Sequence, residues 1–242
     1  MDAVEKEQAS WRIPERLRLD LLALLSADPT HVPTMTYDEF MEWADEDTLA
    51  EWVDGRIVMT SPASARHQDL TDFLHDMFSE HARTHDLGRV LFAPFQMRLP
   101  TSGREPDVLF VAKEHLDRVR STRVEGPADL VVEIVSPESR VRDRGEKFYE
   151  YQAGGVGEYW LIDPDTSRAE FYQRDGAGLY QAIPPGPDGI YRARELPGLW
   201  VRVAWLWQEP LPEVNKIMLE IDGAPYARRL IADLRDGGFL PG

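Results

Sequence analysis

Two acidic side chains occur where the sequence otherwise predicts buried β-strands. Asp107 follows Pro106 and opens an apolar run, and Glu133 lies inside the run Val-Val-Glu-Ile-Val that ends at Val135. An unpaired charge in a buried strand is costly, so each carboxylate must be compensated. An arginine could pair with the carboxylate, or the carboxylate could lie on a solvent-exposed face of the sheet. The alternative is a hard divalent cation, Mg²⁺ or Mn²⁺, held by Asp107, Glu133 and carbonyl oxygens.

His67 is a candidate of a second kind. Its imidazole could ligate a metal ion or act as a general base near neutral pH. It precedes apolar side chains that recur at helical spacing, so it falls near the start of a predicted helix. The structural alternative is a histidine that hydrogen-bonds to the backbone at a helix start.

The elements that must position these residues follow from the spacing of apolar side chains. Helices are predicted from about 65 to 85 and from about 140 to 153. The predicted strands cover 90–99, 107–111, 130–135, 159–162 and 169–173. Elements in this order predict a mixed α/β fold with a central sheet flanked by helices.

Shorter sequence patterns predict elements nearer the two ends of the chain. A capping box that begins at Thr36 predicts a short helix, and Asp54-Gly55 between two apolar runs predicts a β-hairpin. A further helix is expected within residues 5–25. Two short amphipathic helices around Gly223 predict a C-terminal helical hairpin.

The acidic residues stand in an ordered set of motifs that resembles a known family. Pro106-Asp107, followed by Glu133-x-Val135-Ser136, is similar to the PD-(D/E)xK nuclease superfamily. The closer similarity is to the Uma-two family of restriction-endonuclease-like proteins. The matching segments are 51–57, the helix that begins at Arg66, 104–108, 129–139, 143–151 and 157–163.

The resemblance implies a fold and a set of site residues. The fold is a restriction-endonuclease-like mixed central β-sheet flanked by helices, with extra β-strands and the C-terminal helical hairpin. The implied catalytic residues are Asp107, Glu133, Lys147, Glu51 and His67. The implied metal ligands are Asp107, Glu133, Glu51 and His67, and the implied ion is Mg²⁺ or Mn²⁺.

The lysine of the superfamily is displaced in this sequence. It is expected two residues after the second acid, where this chain has Val135. In the Uma-two type it comes from the following helix, and Lys147 is the matching residue. The structural alternatives are that Lys147 only covers neighbouring aromatic side chains and that Glu51 is a solvated hairpin residue.

The implied activity is hydrolysis of phosphodiester bonds in DNA by metal-activated water, in an endonuclease that forms a homodimer. Two alternatives stay open. One is a nuclease fold that no longer cuts and binds nucleic acid or another protein; the other is an unrelated hydrolase of a small phosphorylated molecule. The expected domains are an N-terminal helical arm over 1–34, a nuclease domain over 35–207 and a C-terminal helical extension over 208–242.

The composition excludes several other classes. The 242 residues contain no cysteine, which excludes cysteine-based zinc fingers, iron–sulfur clusters and disulfide scaffolds. A net charge of −16 argues against a generic nucleic-acid coat protein, so DNA contact would depend on local arginines such as Arg140, Arg142 and Arg144. Neither a membrane-spanning run nor a leader pattern is recognisable, and we expect a cytoplasmic protein that contacts no membrane.

Overall fold

The computed structural model describes residues 34–44 and 48–240 of the chain. The helix expected within residues 5–25 lies outside these ranges. The chain divides into two compact units, and the division falls between Thr60 and Ser61.

In the first unit, the first helix of the described residues is α1, a short capped helix that spans Tyr37–Trp43. The Thr36 hydroxyl accepts a hydrogen bond from the Glu39 backbone N–H at 3.2 Å, and the Glu39 carboxylate accepts one from the Thr36 backbone N–H at 2.8 Å. This reciprocal pair satisfies two donors that a helix start leaves free. It confirms the helix predicted from the capping box.

A β-hairpin completes the first unit. Strands β1 (Ala50–Val53) and β2 (Arg56–Met59) pair antiparallel. Between them, Asp54 and Gly55 have φ angles of 47° and 82°. Positive φ at both turn residues matches the twist of the two strands, and the hairpin predicted from Asp54-Gly55 is confirmed.

The second unit contains the remaining strands and helices. In chain order its strands are β3 (Gly88–Phe92), β4 (Gln96–Arg98), β5 (Ser102–Arg104), β6 (Val108–Ala112), β7 (Arg123–Glu125), β8 (Leu130–Ile134), β9 (Glu158–Asp163), β10 (Arg168–Arg174), β11 (Tyr180–Ala182), β12 (Ile190–Arg192) and β13 (Trp200–Arg202). Its helices are α2 (Ala65–His85), α3 (Arg140–Arg144), α4 (Glu146–Gly154), α5 (Val214–Ile221) and α6 (Ala224–Asp236).

A six-stranded mixed sheet organises this unit. Its strand order is β11, β10, β9, β8, β6 and β3. Strands β8 and β9 run parallel, and the other neighbouring pairs run antiparallel. Strand β4 pairs antiparallel with β5 and parallel with β7, and β12 pairs with β13. The mixed α/β fold predicted from the order of elements is confirmed.

Different helices cover the two faces of the six-stranded sheet. The α2 face is built from buried side chains that include Leu70, Phe73, Phe78, Val108, Phe110, Val132 and Trp160. The opposite face packs against Tyr151 of α4 and includes Leu109, Val131, Tyr159 and Leu161. Because side chains alternate along a strand, Glu133 shares the α4 face with Val131 and Val135.

The helix predicted from about 140 to 153 is divided in two at Gly145. This residue has φ −117° and ψ −94°, which ends α3 and begins α4. A Cβ at Gly145 would lie 2.8 Å from the carbonyl oxygen of Val141, so a larger residue would force the backbone to move. The segment before the break has one apolar side chain, Val141, which is exposed, so the spacing of apolar residues could not locate the change of direction.

The two C-terminal helices pack against α2. Ile217 and Met218 of α5 and Tyr226 of α6 are buried in the same core as Phe78 and Trp160. The predicted C-terminal helical hairpin is therefore present and belongs to the second unit. In the two described ranges, no helix is both long and apolar enough to cross a membrane.

We expect Gly145→Ala to destabilise the protein by about 1–3 kcal/mol, because the added methyl group meets the Val141 carbonyl. Urea unfolding followed by circular dichroism measures this. Gly176→Ala is the matched control, since a Cβ there has no atom within 4 Å. Equal unfolding midpoints for the two variants would contradict the role given to Gly145.

Candidate active site

Three parts of the second unit bring candidate residues together. They are the first turn of α2, the neighbouring strands β6 and β8, and the helix pair α3 and α4. His67 lies in the first of these, where the Ser64 hydroxyl accepts a hydrogen bond from its backbone N–H at 3.2 Å. Asp107 directly precedes β6, Glu133 lies in β8, and Lys147 comes from α4.

His67 and Asp107 are in direct contact. His67 Nε2 lies 3.2 Å from Asp107 Oδ2. The same oxygen accepts a 2.6 Å hydrogen bond from the backbone N–H of Ile134, at the end of β8. Asp107 is therefore fixed where β6 begins by the neighbouring strand and by the first turn of α2.

This contact changes the protonation of His67. Burial alone would lower the pKa of the imidazole, but the hydrogen bond and charge of Asp107, together with the charge of Asp143, outweigh burial and raise it. The neutral imidazole that a ligand or a base requires is thus disfavoured in the metal-free protein.

Glu133 is compensated by two donors from α4. Lys147 Nζ donates to Glu133 Oε2 at 2.8 Å, and the Tyr151 hydroxyl donates to Oε1 at 2.7 Å. Lys147 and Tyr151 are one helical turn apart, so they lie on the same face of α4. Glu133 is only 4% exposed. Lys147 therefore supplies positive charge beside Glu133.

Asp143 is a third buried carboxylate, and the sequence analysis did not single it out. It is 1% exposed, the Ser139 hydroxyl donates to its Oδ2, and Lys147 Nζ lies 3.7 Å from its Oδ1. Within the described residues, Oδ1 has no hydrogen-bond partner. The four-residue spacing between Asp143 and Lys147 in one motif was the signal that could have identified it.

The environment of Asp143 favours its neutral form. Burial raises the pKa of this carboxyl group, and the charge of Asp107 raises it further. Lys147 and the Ser139 hydroxyl oppose the change but do not cancel it. A buried carboxylate with an unused oxygen and a raised pKa is suited to receive a cation.

Two sets of arginine contacts hold the helices that carry these residues. Arg104 on β5 is fully buried, and its Nε and Nη2 donate to the two Glu150 oxygens at 2.8 and 2.6 Å. A bidentate pair of this kind restricts the rotation of α4. Arg144 of α3 donates to Asp163 at 3.1 Å and to Glu170 at 2.8 Å.

Two of the three arginines predicted to contact DNA form ion pairs with acidic side chains of this chain. Arg140 lies 3.4 Å from Asp163 and 3.3 Å from Asp165, and Arg144 also contacts Asp163. Their main contacts are therefore acidic side chains of this protein. Arg142 is half-buried, and its Nε has no hydrogen-bond partner in the described part of the chain.

Glu51 belongs to the first unit. It lies in β1 opposite Val58 and is 1% exposed, so the alternative of a solvated hairpin residue is wrong. Its role as a metal ligand stays a prediction.

Glu158 shows how a buried carboxylate can be purely structural in this fold. Its oxygens accept hydrogen bonds from Trp160 Nε1, the Tyr191 hydroxyl and the backbone N–H groups of Arg194 and Glu195. Four protein donors satisfy this group completely. Asp143, with one oxygen that accepts no hydrogen bond within the described ranges, differs from it.

The donor set of the candidate site suits a hard cation. Asp107, Glu133 and Asp143 supply carboxylate oxygens, and Asp143 Oδ1 is the oxygen without a hydrogen bond among the described residues. Within the described residues, the donor atoms of Asp107, Glu133 and His67 do not all lie within 4.8 Å of one another. Mg²⁺ usually keeps several waters and uses only one or two carboxylates, so this open arrangement fits it.

The second unit is an α/β fold with one acid directly before β6, one in the adjacent strand β8 and a lysine on α4. The Uma2 family model, described as "Putative restriction endonuclease", matches residues 37–204. The chain belongs to this family, as its motifs predicted.

A solved structure has a similar fold. It is described as a putative nuclease belonging to DUF820 from Anabaena variabilis ATCC 29413. The two chains are 16% identical, the TM-score is 0.62, and the match covers 72% of this chain and 97% of the other. At this identity the likeness shows the fold alone, and it confirms the expected restriction-endonuclease-like sheet. No curated protein gives a significant match.

Lys147→Met should destabilise the metal-free protein by about 3 kcal/mol or more, because it leaves Glu133 buried without its cation. Adding Glu133→Gln should recover part of this loss, since the buried charge is then removed as well. Urea unfolding of the wild type, both single variants and the double variant measures the coupling.

Lys113→Met is the control for this cycle, because Lys113 is largely exposed. It should change the free energy of unfolding by less than about 0.5 kcal/mol. Purely additive effects of the Lys147 and Glu133 substitutions would show that the two side chains do not stabilise each other.

Proposed function

We propose that this protein is a metal-dependent endonuclease that hydrolyses phosphodiester bonds of DNA. The proposal rests on the hydrogen bond from Lys147 on α4 to Glu133 in β8. Asp107, directly before the adjacent strand β6, accepts a hydrogen bond from the next residue of β8, Ile134. Membership in a family described as restriction endonucleases supports a nuclease. DNA as the substrate and Mg²⁺ or Mn²⁺ as the ion are the specific parts of the proposal.

The proposed ligands of the second unit are Asp107, Glu133, Asp143 and His67, and Glu51 of the first unit stays a separate prediction as a ligand. When bound, Mg²⁺ or Mn²⁺ would polarise a phosphate oxygen and lower the pKa of a coordinated water molecule. A cation beside Asp107 also disfavours a protonated His67, so metal binding and loss of that proton are coupled.

Lys147 is the proposed electrostatic partner of the scissile phosphate. Lys147 Nζ lies 2.8 Å from Glu133 Oε2 and 3.7 Å from Asp143 Oδ1. A positioned cation of this kind stabilises the negative charge that develops on the phosphate. Tyr151 holds the second oxygen of Glu133 and so fixes the orientation of that carboxylate.

The proposal includes a homodimer. Cleavage of both strands of a duplex needs two phosphodiester hydrolyses, and two copies of the chain would supply two sites. Because the net charge is −16, DNA contact must rely on local cations. Arg142 is the arginine of α3 proposed for this contact, because Arg140 and Arg144 form ion pairs with Asp163.

A second candidate is a nuclease fold that binds nucleic acid or protein without cutting. The observation that favours it is that both Glu133 oxygens already accept hydrogen bonds from α4. Ligation of a metal by Glu133 would then compete with Lys147 and Tyr151.

Asp107→Asn and Glu133→Gln should each reduce Mg²⁺-dependent cleavage of supercoiled plasmid and single-stranded DNA by at least about 100-fold, because each removes a ligand charge. Asp72→Asn is the matched control, since Asp72 is exposed on α2, and it should cleave like the wild type. Gel assays with Mg²⁺, Mn²⁺ and EDTA measure these rates.

Two results would change this assignment. A variant that cleaves at the wild-type rate would remove its residue from the site. A folded wild-type protein that binds DNA but cleaves none of these substrates with either metal would favour the binding module.

Asp143→Asn should weaken Mn²⁺ binding about 10-fold or more and leave the metal-free protein equally or more stable. The reason is that burial already disfavours the ionised form of Asp143, while the amide can still accept from Ser139. Isothermal titration with Mn²⁺ measures affinity, and thermal unfolding measures stability. Unchanged Mn²⁺ affinity would exclude Asp143 as a ligand.

A further inference from the structure

A second group of potential metal ligands lies at the opposite end of α2 from His67. His81 and His85 are one helical turn apart on this helix, with ring centroids 4.7 Å apart. His81 is separated from His67 by about 21 Å along the helix axis. The third member is Asp222, which directly follows α5. Their donor atoms all lie within 4.8 Å of one another.

The contacts among these three side chains are short. His81 Nδ1 lies 3.0 Å from both oxygens of Asp222, and His85 Nε2 lies 2.9 Å from Asp222 Oδ1. His81 and Asp222 are nearly inaccessible to solvent, whereas the His85 side chain is 35% exposed. An ion could therefore enter from the His85 side and reach two buried donors.

The second nitrogen of His81 points to metal ligation. Nε2 lies 3.0 Å from the carbonyl oxygen of Pro197. A carbonyl can only accept, so Nε2 carries a proton and donates. Metal-bound histidines usually donate their other ring nitrogen to a backbone carbonyl or carboxylate in this way. Nδ1 is then the nitrogen that faces the two Asp222 oxygens, at 3.0 Å, and it would face an ion bound beside them.

The position of the group favours a cation as well. His85 is the last residue of α2, and a positive charge at a helix C-terminus is stabilised by the partial negative charge of the free carbonyl groups.

We propose that His81, His85 and Asp222 bind a transition metal ion of the Zn²⁺ class, which fastens the C-terminal helices to α2. Two imidazoles and one carboxylate suit Zn²⁺, Co²⁺ or Ni²⁺ better than Mg²⁺, which prefers oxygen ligands alone. Three protein ligands leave a further position for water. This site is separate from the proposed nuclease centre in both place and ligand chemistry.

The proposed ion would act on folding. Asp222 and Gly223 form the corner between α5 and α6, so the ligand set is complete only when these helices are packed on α2. The burial of Ile217, Met218 and Tyr226 in the α2 core accompanies this packing. An ion that binds only the packed form stabilises it by mass action.

The test uses the full chain after removal of metals with a chelator. Stoichiometric Zn²⁺ should raise the melting temperature by several degrees, and Mg²⁺ should not reproduce this shift. Co²⁺ should give the visible absorption bands of a tetrahedral site with one ion per chain.

Three variants locate the ion. His85→Gln should weaken Zn²⁺ binding at least about 10-fold. His75→Gln, on the same helix but outside the group, should bind Zn²⁺ like the wild type. Asp107→Asn should also keep the Zn²⁺ response, because it changes only the proposed nuclease centre.

Two outcomes would overturn the proposal. If Asp107→Asn loses the Zn²⁺ shift and His85→Gln keeps it, the ion binds at the nuclease centre. If the wild type shows neither a Zn²⁺ shift nor a Co²⁺ spectrum, the three side chains form an imidazolium–carboxylate group without metal. Neither outcome depends on nuclease activity, so the result stands whether or not the protein cleaves DNA.

Discussion

The pairing of Glu133 with Lys147 is the interaction on which the rest of the candidate site depends. A carboxylate inside a buried strand is tolerated only if a partner compensates its charge, and here the partner is an ammonium group 2.8 Å away. Because Lys147 is supplied by α4, the sheet and this helix must keep one relative position. Tyr151, on the same face of the helix, takes the other Glu133 oxygen. The pair therefore fixes both the charge balance and the geometry of the site.

Several other features hold α4 in that position. Arg104 on β5 donates two hydrogen bonds to Glu150 of α4. Gly145 permits the sharp change of direction between α3 and α4. Arg144 of α3 donates hydrogen bonds to acidic side chains of β9 and β10. The same change of direction places Asp143 beside Lys147, 3.7 Å from its Nζ. Glu133 and Asp143 therefore both lie beside Lys147, while Asp107, whose charge acts on Asp143, contacts His67. This group of carboxyl groups is the physical reason to expect a divalent cation there.

The sequence predicted the elements better than their contacts. The capping box at Thr36, the Asp54-Gly55 turn and the apolar periodicity of α2 are local signals, and each produced the expected element. The family motifs also placed Lys147 on the helix next to Glu133. Asp143 and the break at Gly145 depend on local polar and backbone contacts, which the spacing of apolar residues does not register. Arg104 was missed because its importance arises from packing against Glu150, which is distant in sequence. The group of His81, His85 and Asp222 was invisible for the same reason, since 137 residues separate His85 from Asp222.

The most direct test of the central claim is plasmid cleavage by the wild type and by Lys147→Gln, compared over a range of Mg²⁺ and Mn²⁺ concentrations. A metal-dependent site in which Lys147 stabilises the phosphate predicts metal-dependent cleavage by the wild type. It also predicts a loss of at least about 100-fold in Lys147→Gln that added metal does not restore, because the cation that stabilises the phosphate is absent. Equal cleavage by the two folded proteins, or cleavage by the wild type that persists in EDTA, would contradict it.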